Sequence, residues 1–315
     1  MQIVITDGYT LNPGDLNWDD FKNIANVKYY DRTAANDVAE RCHEATVIIT
    51  NKTPVTAETI QRATKLKLIA VTATGYNIVD IAAAKQKKII VCNVPEYGTD
   101  SVAQHTISLL LELTNHAGIH AQSVQQGEWE KSIDWCYTKA PLMELSGKTM
   151  GIVGFGRIGQ KVAVIAKALG MKIIFYNPNK QSGMRTSVSL QELFAQSDVI
   201  SLHCPLKSNN KEFVNKDLLS LVKRTAFLLN TSRGQLINEQ DLADALQQKK
   251  LAGAALDVLS TEPPVNENPL IGLSNCIITP HIAWISFEAR RRLLQTTLDN
   301  VKAALAGRPQ NVVNA

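Results

Sequence analysis

One stretch constrains this chain more than any other: Gly151-Ile152-Val153-Gly154-Phe155-Gly156-Arg157-Ile158-Gly159. A bare G-x-G-x-x-G spacing is weak evidence. Here an apolar, β-branched run beginning at Thr149 precedes it, and a helical pattern, Gln160–Leu169, follows it. Strand, glycine turn and helix in that order open a βαβ unit. The first glycine permits the tight turn. The second lets the backbone approach a pyrophosphate, and the third lets helix and strand pack closely. The helix N-terminus then offers unpaired N–H groups and the positive end of its dipole to an anion. A plain glycine-rich β–α turn is the competing reading.

The same alternation runs through the whole chain of 315 residues, a length that fits roughly two domains. A first series of apolar runs falls at Ile3–Thr6, Val27–Tyr30, Thr46–Ile49, Leu68–Val71 and Ile89–Val91, with amphipathic stretches at Asp37–Glu44, Ala57–Ala63 and Ile81–Lys85 between them. A second series falls at Thr149–Val153, Lys172–Tyr176, Val199–Leu202, Thr225–Leu229, Gly253–Leu256 and Ile277–Thr279. Strand, helix, strand at this spacing predicts parallel sheets with crossover helices. A long helix is expected over Ser101–Gln126 and a last one over Ser286–Ala306. Between them, Glu128–Leu145 reads as irregular and carries Trp129, Trp135 and Tyr137. An arm that apolar is expected to pack on something, such as a second subunit.

In an open α/β sheet, ligands sit beyond the carboxyl ends of the strands. In the second series the strand ends carry His203-Cys204-Pro205, then Asn230-Thr231-Ser232-Arg233-Gly234, then Asp257 and Glu262, then Pro280-His281-Ile282-Ala283-Trp284. Topology brings one Arg, one Glu and one His to the same rim. That set suits reduction of a 2-keto acid. An Arg can hold and polarise the acid, a His can give or take the hydroxyl proton, and a Glu can orient the His. Each has a bland alternative: a solvated Arg, a structural His, a Glu facing water. The end of strand Lys172–Tyr176 normally tells NAD from NADP through an acid that binds ribose hydroxyls and repels a 2′-phosphate. This chain has Asn177 there, with Lys180 close by in sequence, so NAD is favoured but NADP remains possible.

Other features exclude more than they assign. Lys+Arg of 33 against Asp+Glu of 29 leaves +4, too small and too spread a charge to point to nucleic acid or an anionic membrane. No apolar run approaches the ~18 residues of a membrane span. The opening residues have no basic region followed by a long apolar one, so no signal peptide is expected. Five widely spaced cysteines without C-x-x-C fit neither a disulfide framework nor a zinc site, and a reducing cytoplasm is expected. His116 and His120 stand four apart on a helix, but no nearby Asp or Glu completes a metal set. His105 reads as a hydrogen-bonded core histidine, and Arg290-Arg291-Arg292 as a solvated or salt-bridged face.

Taken together, the residues resemble the D-isomer-specific 2-hydroxyacid dehydrogenase family, and within it the glycerate dehydrogenase (hydroxypyruvate reductase) branch. The resemblance covers nearly the full length. It rests on Thr72-Ala73-Thr74-Gly75-Tyr76-Asn77-Ile78-Val79-Asp80, Ser101-Val102-Ala103-Gln104-His105-Thr106, Asp134-Trp135-Cys136-Tyr137, Gly154–Gly159, Asn230–Gly234, Asp257 to Pro264, and Pro280–Trp284.

The resemblance implies an α/β fold of two doubly wound parallel-sheet domains. A Rossmann nucleotide domain at 99–285 is inserted into a flavodoxin-like substrate domain made of 1–98 and 286–315. It implies that Arg233 binds the substrate carboxylate and carbonyl oxygen, that His281 is the general acid/base, and that Glu262 is its partner. Backbone N–H groups around Thr74 and Gly75 are expected to hold the carboxylate. Asp257 is expected at the nicotinamide carboxamide. Gly154, Phe155, Gly156, Arg157, Ile158, Gly159, Asn177, Cys204, Pro205, Thr231, Ser232, His281 and Ala283 are expected along the cofactor. The activity implied is NAD(P)-dependent, reversible reduction of hydroxypyruvate or glyoxylate by a cytoplasmic homodimer. Another D-2-hydroxy acid, such as D-lactate or 3-phosphoglycerate, and an NAD(H)-sensing binding protein of the same fold are the alternatives. Phosphoglycerate is the less expected of these, because no extra C-terminal regulatory domain is expected from the sequence.

Overall fold

The computed structural model describes residues 1–177, 187–264 and 267–315. The chain forms two compact units, Met1–Gly98 with Ile285–Ala315, and Thr99–Trp284.

The first unit runs β1 (Gln2–Ile5), α1 (Asp19–Lys22), β2 (Asn26–Tyr29), α2 (Val38–Cys42), β3 (Val47–Thr50), α3 (Ala57–Arg62), β4 (Leu68–Val71), α4 (Ile81–Gln86) and β5 (Ile90–Cys92). Its five strands pair in parallel in the order β2-β1-β3-β4-β5. β3 and β4 are buried at every position. A parallel sheet covered on both faces produces such unbroken apolar runs. Val4, Ile48, Ile69 and Val91 share one core with Val38, Cys42, Ile60 and Ala84 of α2–α4. The alternate residues Ile3, Ile5 and Ile49 are buried as well and point the other way, because strand side chains alternate.

The second unit runs α5 (Thr99–Asn115), α6 (Ala117–Gln125), β6 (Thr149–Val153), α7 (Arg157–Ala168), β7 (Lys172–Tyr176), α8 (Leu190–Gln196), β8 (Val199–Leu202), α9 (Lys216–Leu219), β9 (Phe227–Asn230), α10 (Glu239–Gln247), β10 (Gly253–Leu256) and β11 (Cys276–Ile278). The parallel order is β7-β6-β8-β9-β10-β11. A single parallel bridge, Phe175 with Ser187, stands outside β7. Counting it as a vestigial third strand gives 3-2-1-4-5-6 with β11 added at the far edge, the dinucleotide-binding order. Two cores lie on the two faces. Met150, Ile152, Val199, Leu229 and Ala255 pack with α5 and α7, while Val153, Ile200, Leu228 and Leu256 pack with residues of α8, α9 and α10. Finally α11 (Phe287–Leu305) rejoins the first unit and packs against β4.

The 101–126 segment is two helices rather than one. Asn115 ends α5, and His116 takes a left-handed backbone with φ 51° before α6 begins. His is among the few non-glycine residues enriched in that conformation, so the break needs neither Gly nor Pro. Residues 129–145 contain no regular element, in keeping with the irregular arm expected there. Arg290 takes the salt-bridged of the two readings, and takes it inside the fold. It is only 6% exposed, and its guanidinium grips both carboxylate oxygens of Asp15 at 2.6 Å. Among the described residues no helix is long and apolar enough to cross a membrane.

Candidate active site

The glycine turn leaves β6 and enters α7. Gly154 has φ +94°, and a Cβ there would lie 2.6 Å from the Cys204 amide nitrogen, so backbone crowding and conformation both demand glycine. A Cβ on Gly159 would lie 2.4 Å from the Gly154 carbonyl, which is why α7 can approach the strand so closely. Gly156 is different: a Cβ there would meet nothing within 4 Å. It would instead project into open space at the start of α7. The helices α8, α9 and α10 are each capped by a side chain, from Ser189, Asn215 and Asn238. By contrast α7 has Gly156 at its N-cap and no side-chain cap. Its first amides are thus left for a ligand, and a pyrophosphate fits that arrangement. Phe155 stacks on Phe175, with ring centroids 4.2 Å apart, and Arg157 and Ile158 open the helix. The Gly154 N–H donates to the Tyr176 carbonyl, so Asn177, the next residue and half-buried, lies alongside the turn. Lys180 lies outside the described residues.

Asp257, at the end of β10, is 1% exposed. A carboxylate that deep costs several kcal/mol unless it is well bonded. Oδ1 accepts from the Thr279 hydroxyl at 2.6 Å and the Ile282 amide at 2.9 Å; Oδ2 accepts from the Ala283 amide at 2.8 Å. His105 Nε2 stands 3.4 Å from Oδ1 and 3.1 Å from the Thr279 hydroxyl. Burial works to raise the Asp257 pKa, and these hydrogen bonds outweigh it and hold the group below the usual carboxylate value. The carboxylate thereby fixes the 279–283 turn. His281 sits in that turn with φ 56°, a left-handed backbone of the kind that persists only where its surroundings impose it. Its amide donates to the Asp257 carbonyl at 2.9 Å.

The His281 side chain meets Glu262, with Nδ1 2.6 Å from Oε2. An ionised carboxylate only accepts, so Nδ1 carries the proton and donates. Nε2 is left without a hydrogen-bond partner among the described residues. Glu262 is steadied by the Leu259 amide, 3.1 Å from Oε1. The other strand-end histidine behaves differently. His203 bonds the Ser201 hydroxyl at 2.8 Å, and burial pushes its imidazole down to about 4. Of these two strand-end histidines, His281 is the one that combines a carboxylate partner with an open nitrogen among the described residues.

Arg233 follows β9, the neighbour of β10, and is exposed; one guanidinium nitrogen donates to the Ser232 carbonyl at 2.7 Å. The rest of its fork makes no hydrogen bond among the described residues. Ser232 donates to the Cys204 carbonyl at 2.7 Å, and Thr231 bonds Thr106 at 2.9 Å. Burial pushes the Cys204 thiol up to about 11, so that residue acts through its backbone. The Pro205 carbonyl accepts from Asn210. In the first unit, Thr74 is pinned by its hydroxyl to the Val94 carbonyl and by its own carbonyl to Asn93. The N–H groups of Thr74 and Gly75 make no hydrogen bond among the described residues. Thr279 and Thr106 escaped the sequence reading, although Thr279 lies two residues before His281.

Comparison with known proteins agrees with this geometry. The family model for the D-isomer specific 2-hydroxyacid dehydrogenase NAD binding domain matches residues 107–283. The chain is 48% identical to a hydroxypyruvate reductase of Blautia hydrogenotrophica over 321 residues, 100% of both proteins. It is 41% identical to a glycerate dehydrogenase of Methylorubrum extorquens, over 91% of this chain and 92% of that one. A crystal structure of D-lactate dehydrogenase from Aquifex aeolicus, complexed with NAD and lactic acid, superposes with a TM-score of 0.85 at 28% identity, covering 100% of this chain and 99% of that one. With the glycine turn and the His281–Glu262 pair in place, these matches make the chain a member of the D-isomer-specific 2-hydroxyacid dehydrogenases, a family of NAD-binding oxidoreductases.

Proposed function

We propose that this chain catalyses the reversible, NAD(P)-dependent reduction of a small 2-keto acid, hydroxypyruvate or glyoxylate, to D-glycerate or glycolate. The observation that carries the reading is the 2.6 Å contact between His281 and Glu262 with Nε2 left open. A bound nicotinamide supplies the hydride in reduction and takes it back in oxidation. Arg233 pairs with the substrate carboxylate and draws charge from the carbonyl oxygen, a task its planar fork suits. In its charged form His281 gives the Nε2 proton to the carbonyl oxygen as the hydroxyl forms, while the Nδ1–H stays on Glu262. In the reverse direction, neutral His281 takes the hydroxyl proton at the same atom. Hydroxypyruvate and glycerate stand first because the two curated relatives above are named for them.

The test is oxidation of NADH and of NADPH by the purified protein against hydroxypyruvate, glyoxylate, pyruvate and 3-phosphohydroxypyruvate, with chiral analysis of the product. Preference for hydroxypyruvate or glyoxylate, with D-glycerate formed from the former, supports the reading. Reduction of none of them overturns it.

The 129–145 arm supports a second proposal, that two copies associate. Trp129 is 53% exposed, Ile133 102% and Trp135 86%, more apolar surface than one segment normally gives to water. Light scattering at micromolar concentration should give twice the monomer mass, and a monomer would count against it.

A further inference from the structure

We propose that Glu239 is a positioning residue for this reaction. By holding Ser260 it sets Glu262 against His281 in register with Arg233. The inference rests on the catalytic roles proposed above for those three residues.

A glutamate in the first turn of a helix ordinarily complements the helix dipole. Glu239 opens α10, yet its hydrogen bonds go elsewhere. Oε1 accepts from the Ser260 amide at 2.6 Å, and Oε2 accepts from the Ser260 hydroxyl at 2.8 Å and from the Asn268 side-chain amide at 2.9 Å. One carboxylate therefore holds residues on both sides of Glu262. Ser260 has three polar groups, and all are committed to the segment after Arg233: the amide and hydroxyl to Glu239, the carbonyl to the Gln235 side chain at 2.8 Å. The backbones touch as well. A Cβ on Gly234 would lie 1.9 Å from the Leu259 carbonyl carbon and 2.4 Å from the Ser260 nitrogen. Two residues beyond Ser260, Glu262 accepts from the Leu259 amide and meets His281. The Arg233 loop and the Glu262 loop are thus riveted at one peptide, and Glu239 is the ionisable group that holds Ser260 there. A misplaced catalytic group costs rate even when every group is present.

The experiment is a double-mutant cycle on the full chain, using Glu239→Ala, Glu262→Gln and the double variant. Thermal midpoint, NADH affinity, KM and the pH profile of kcat/KM are read for each. Glu239→Ala should lower kcat by about 10- to 100-fold and reshape the pH profile as Glu262→Gln does, with NADH affinity unchanged. The double variant should be no worse than Glu262→Gln by more than about two-fold, because both changes break one linkage. Glu239→Gln should recover most of the rate, since its oxygen still accepts from the Ser260 amide and its NH2 can donate to the hydroxyl. If Glu239→Ala does not fold, Ser260→Ala, which removes the hydroxyl that Glu239 holds, replaces it in the same cycle. Wild-type kcat in the variant, or losses that multiply with that of Glu262→Gln, would overturn the proposal. A wild-type Glu262→Gln would instead remove the proposed role of the pair, and Glu239 would then have nothing to position.

Discussion

β1 and β6 occupy the same place in their sheets, each flanked by the next two strands of its unit, β2 and β3 or β7 and β8. Their carboxyl ends are used in opposite ways. After β1, Asp7 turns its carboxylate onto three successive amides. Oδ1 takes the Asn51 N–H at 2.8 Å, and Oδ2 takes those of Lys52 and Thr53 at 2.6 and 2.8 Å. After β6 a Cβ on Gly156 would meet open space, and α7 begins without a side-chain cap. Successive amides at a strand end form an anion nest in either sheet. A single side chain decides whether the anion comes from the chain itself or from a ligand. The fold supplies the rim twice, and the cofactor site proposed above uses the rim that is left open.

The sharpest way to break this contrast is to remove the chemistry from the open rim. His281→Asn should lower kcat by ~10²–10⁴-fold, the usual worth of a general acid–base group, with NADH affinity and thermal midpoint nearly unchanged. Turnover within a few-fold of wild type would leave His281 as a structural residue. Arg233→Lys comes next. A guanidinium binds a carboxylate through two parallel hydrogen bonds, whereas an ammonium is a point donor. Losing a charged hydrogen bond of about 1.5–3 kcal/mol predicts a roughly 10- to 100-fold fall in kcat/KM for the keto acid. A Lys variant with a normal KM and kcat would place the anchor elsewhere.

A paired measurement compares the two rims directly. Asp7→Ala strands three amides in the first unit and should cost about 1–3 kcal/mol of unfolding free energy while leaving the NADH dissociation constant alone. Gly156→Val should do the reverse. Its backbone, φ −81° and ψ −165°, suits an L-residue, and the new side chain meets no protein atom near its Cβ. It should keep the thermal midpoint and weaken NADH binding about tenfold or more, because it stands where the phosphates approach the α7 amides. If Gly156→Val unfolds the protein, or Asp7→Ala weakens NADH binding, the two rims are not the opposites described here.

The sequence revealed these rims unevenly, for physical reasons. The strands of both sheets lie within about two residues of their apolar runs, and in the inner strands double-sided burial writes a continuous apolar signal. The meeting of Glu262 and His281 was legible from topology, because adjacent parallel strands deliver their ends to one edge. The break at His116 was not, because Asn and His tolerate a left-handed backbone without requiring one, and both also occur inside helices. Nor was the burial of Arg290, whose salt-bridge partner Asp15 lies 275 residues away in the chain and turns one of three like-charged neighbours into a buried anchor. Glu239 was hidden for a subtler reason. Its position at the head of α10 already explains a glutamate, and only the coordinates show it bonding to another loop.

The smallest effect is expected at Asn177, and it refines what the open rim admits. Asn177 follows Tyr176, whose carbonyl accepts the Gly154 N–H at 2.9 Å, so the residue stands beside the phosphate turn where a ribose reader belongs. Its amide oxygen can accept from a ribose hydroxyl, which keeps a polar partner for NADH. It carries no charge, so the main penalty against a 2′-phosphate is missing. NADH should therefore be preferred over NADPH, by a smaller margin than an acid at this position would give. Asn177→Asp adds one negative charge. At ~5 Å in a solvent-like dielectric its repulsion of a 2′-phosphate is about 1–2 kcal/mol, so NADPH use should fall roughly 5- to 30-fold with NADH use largely intact. Both kcat/KM values have to be compared at one ionic strength, because salt screens the effect. An unchanged NADPH/NADH ratio in the Asp variant would mean that residue 177 does not read the ribose, and that the open rim takes its cofactor preference from another residue.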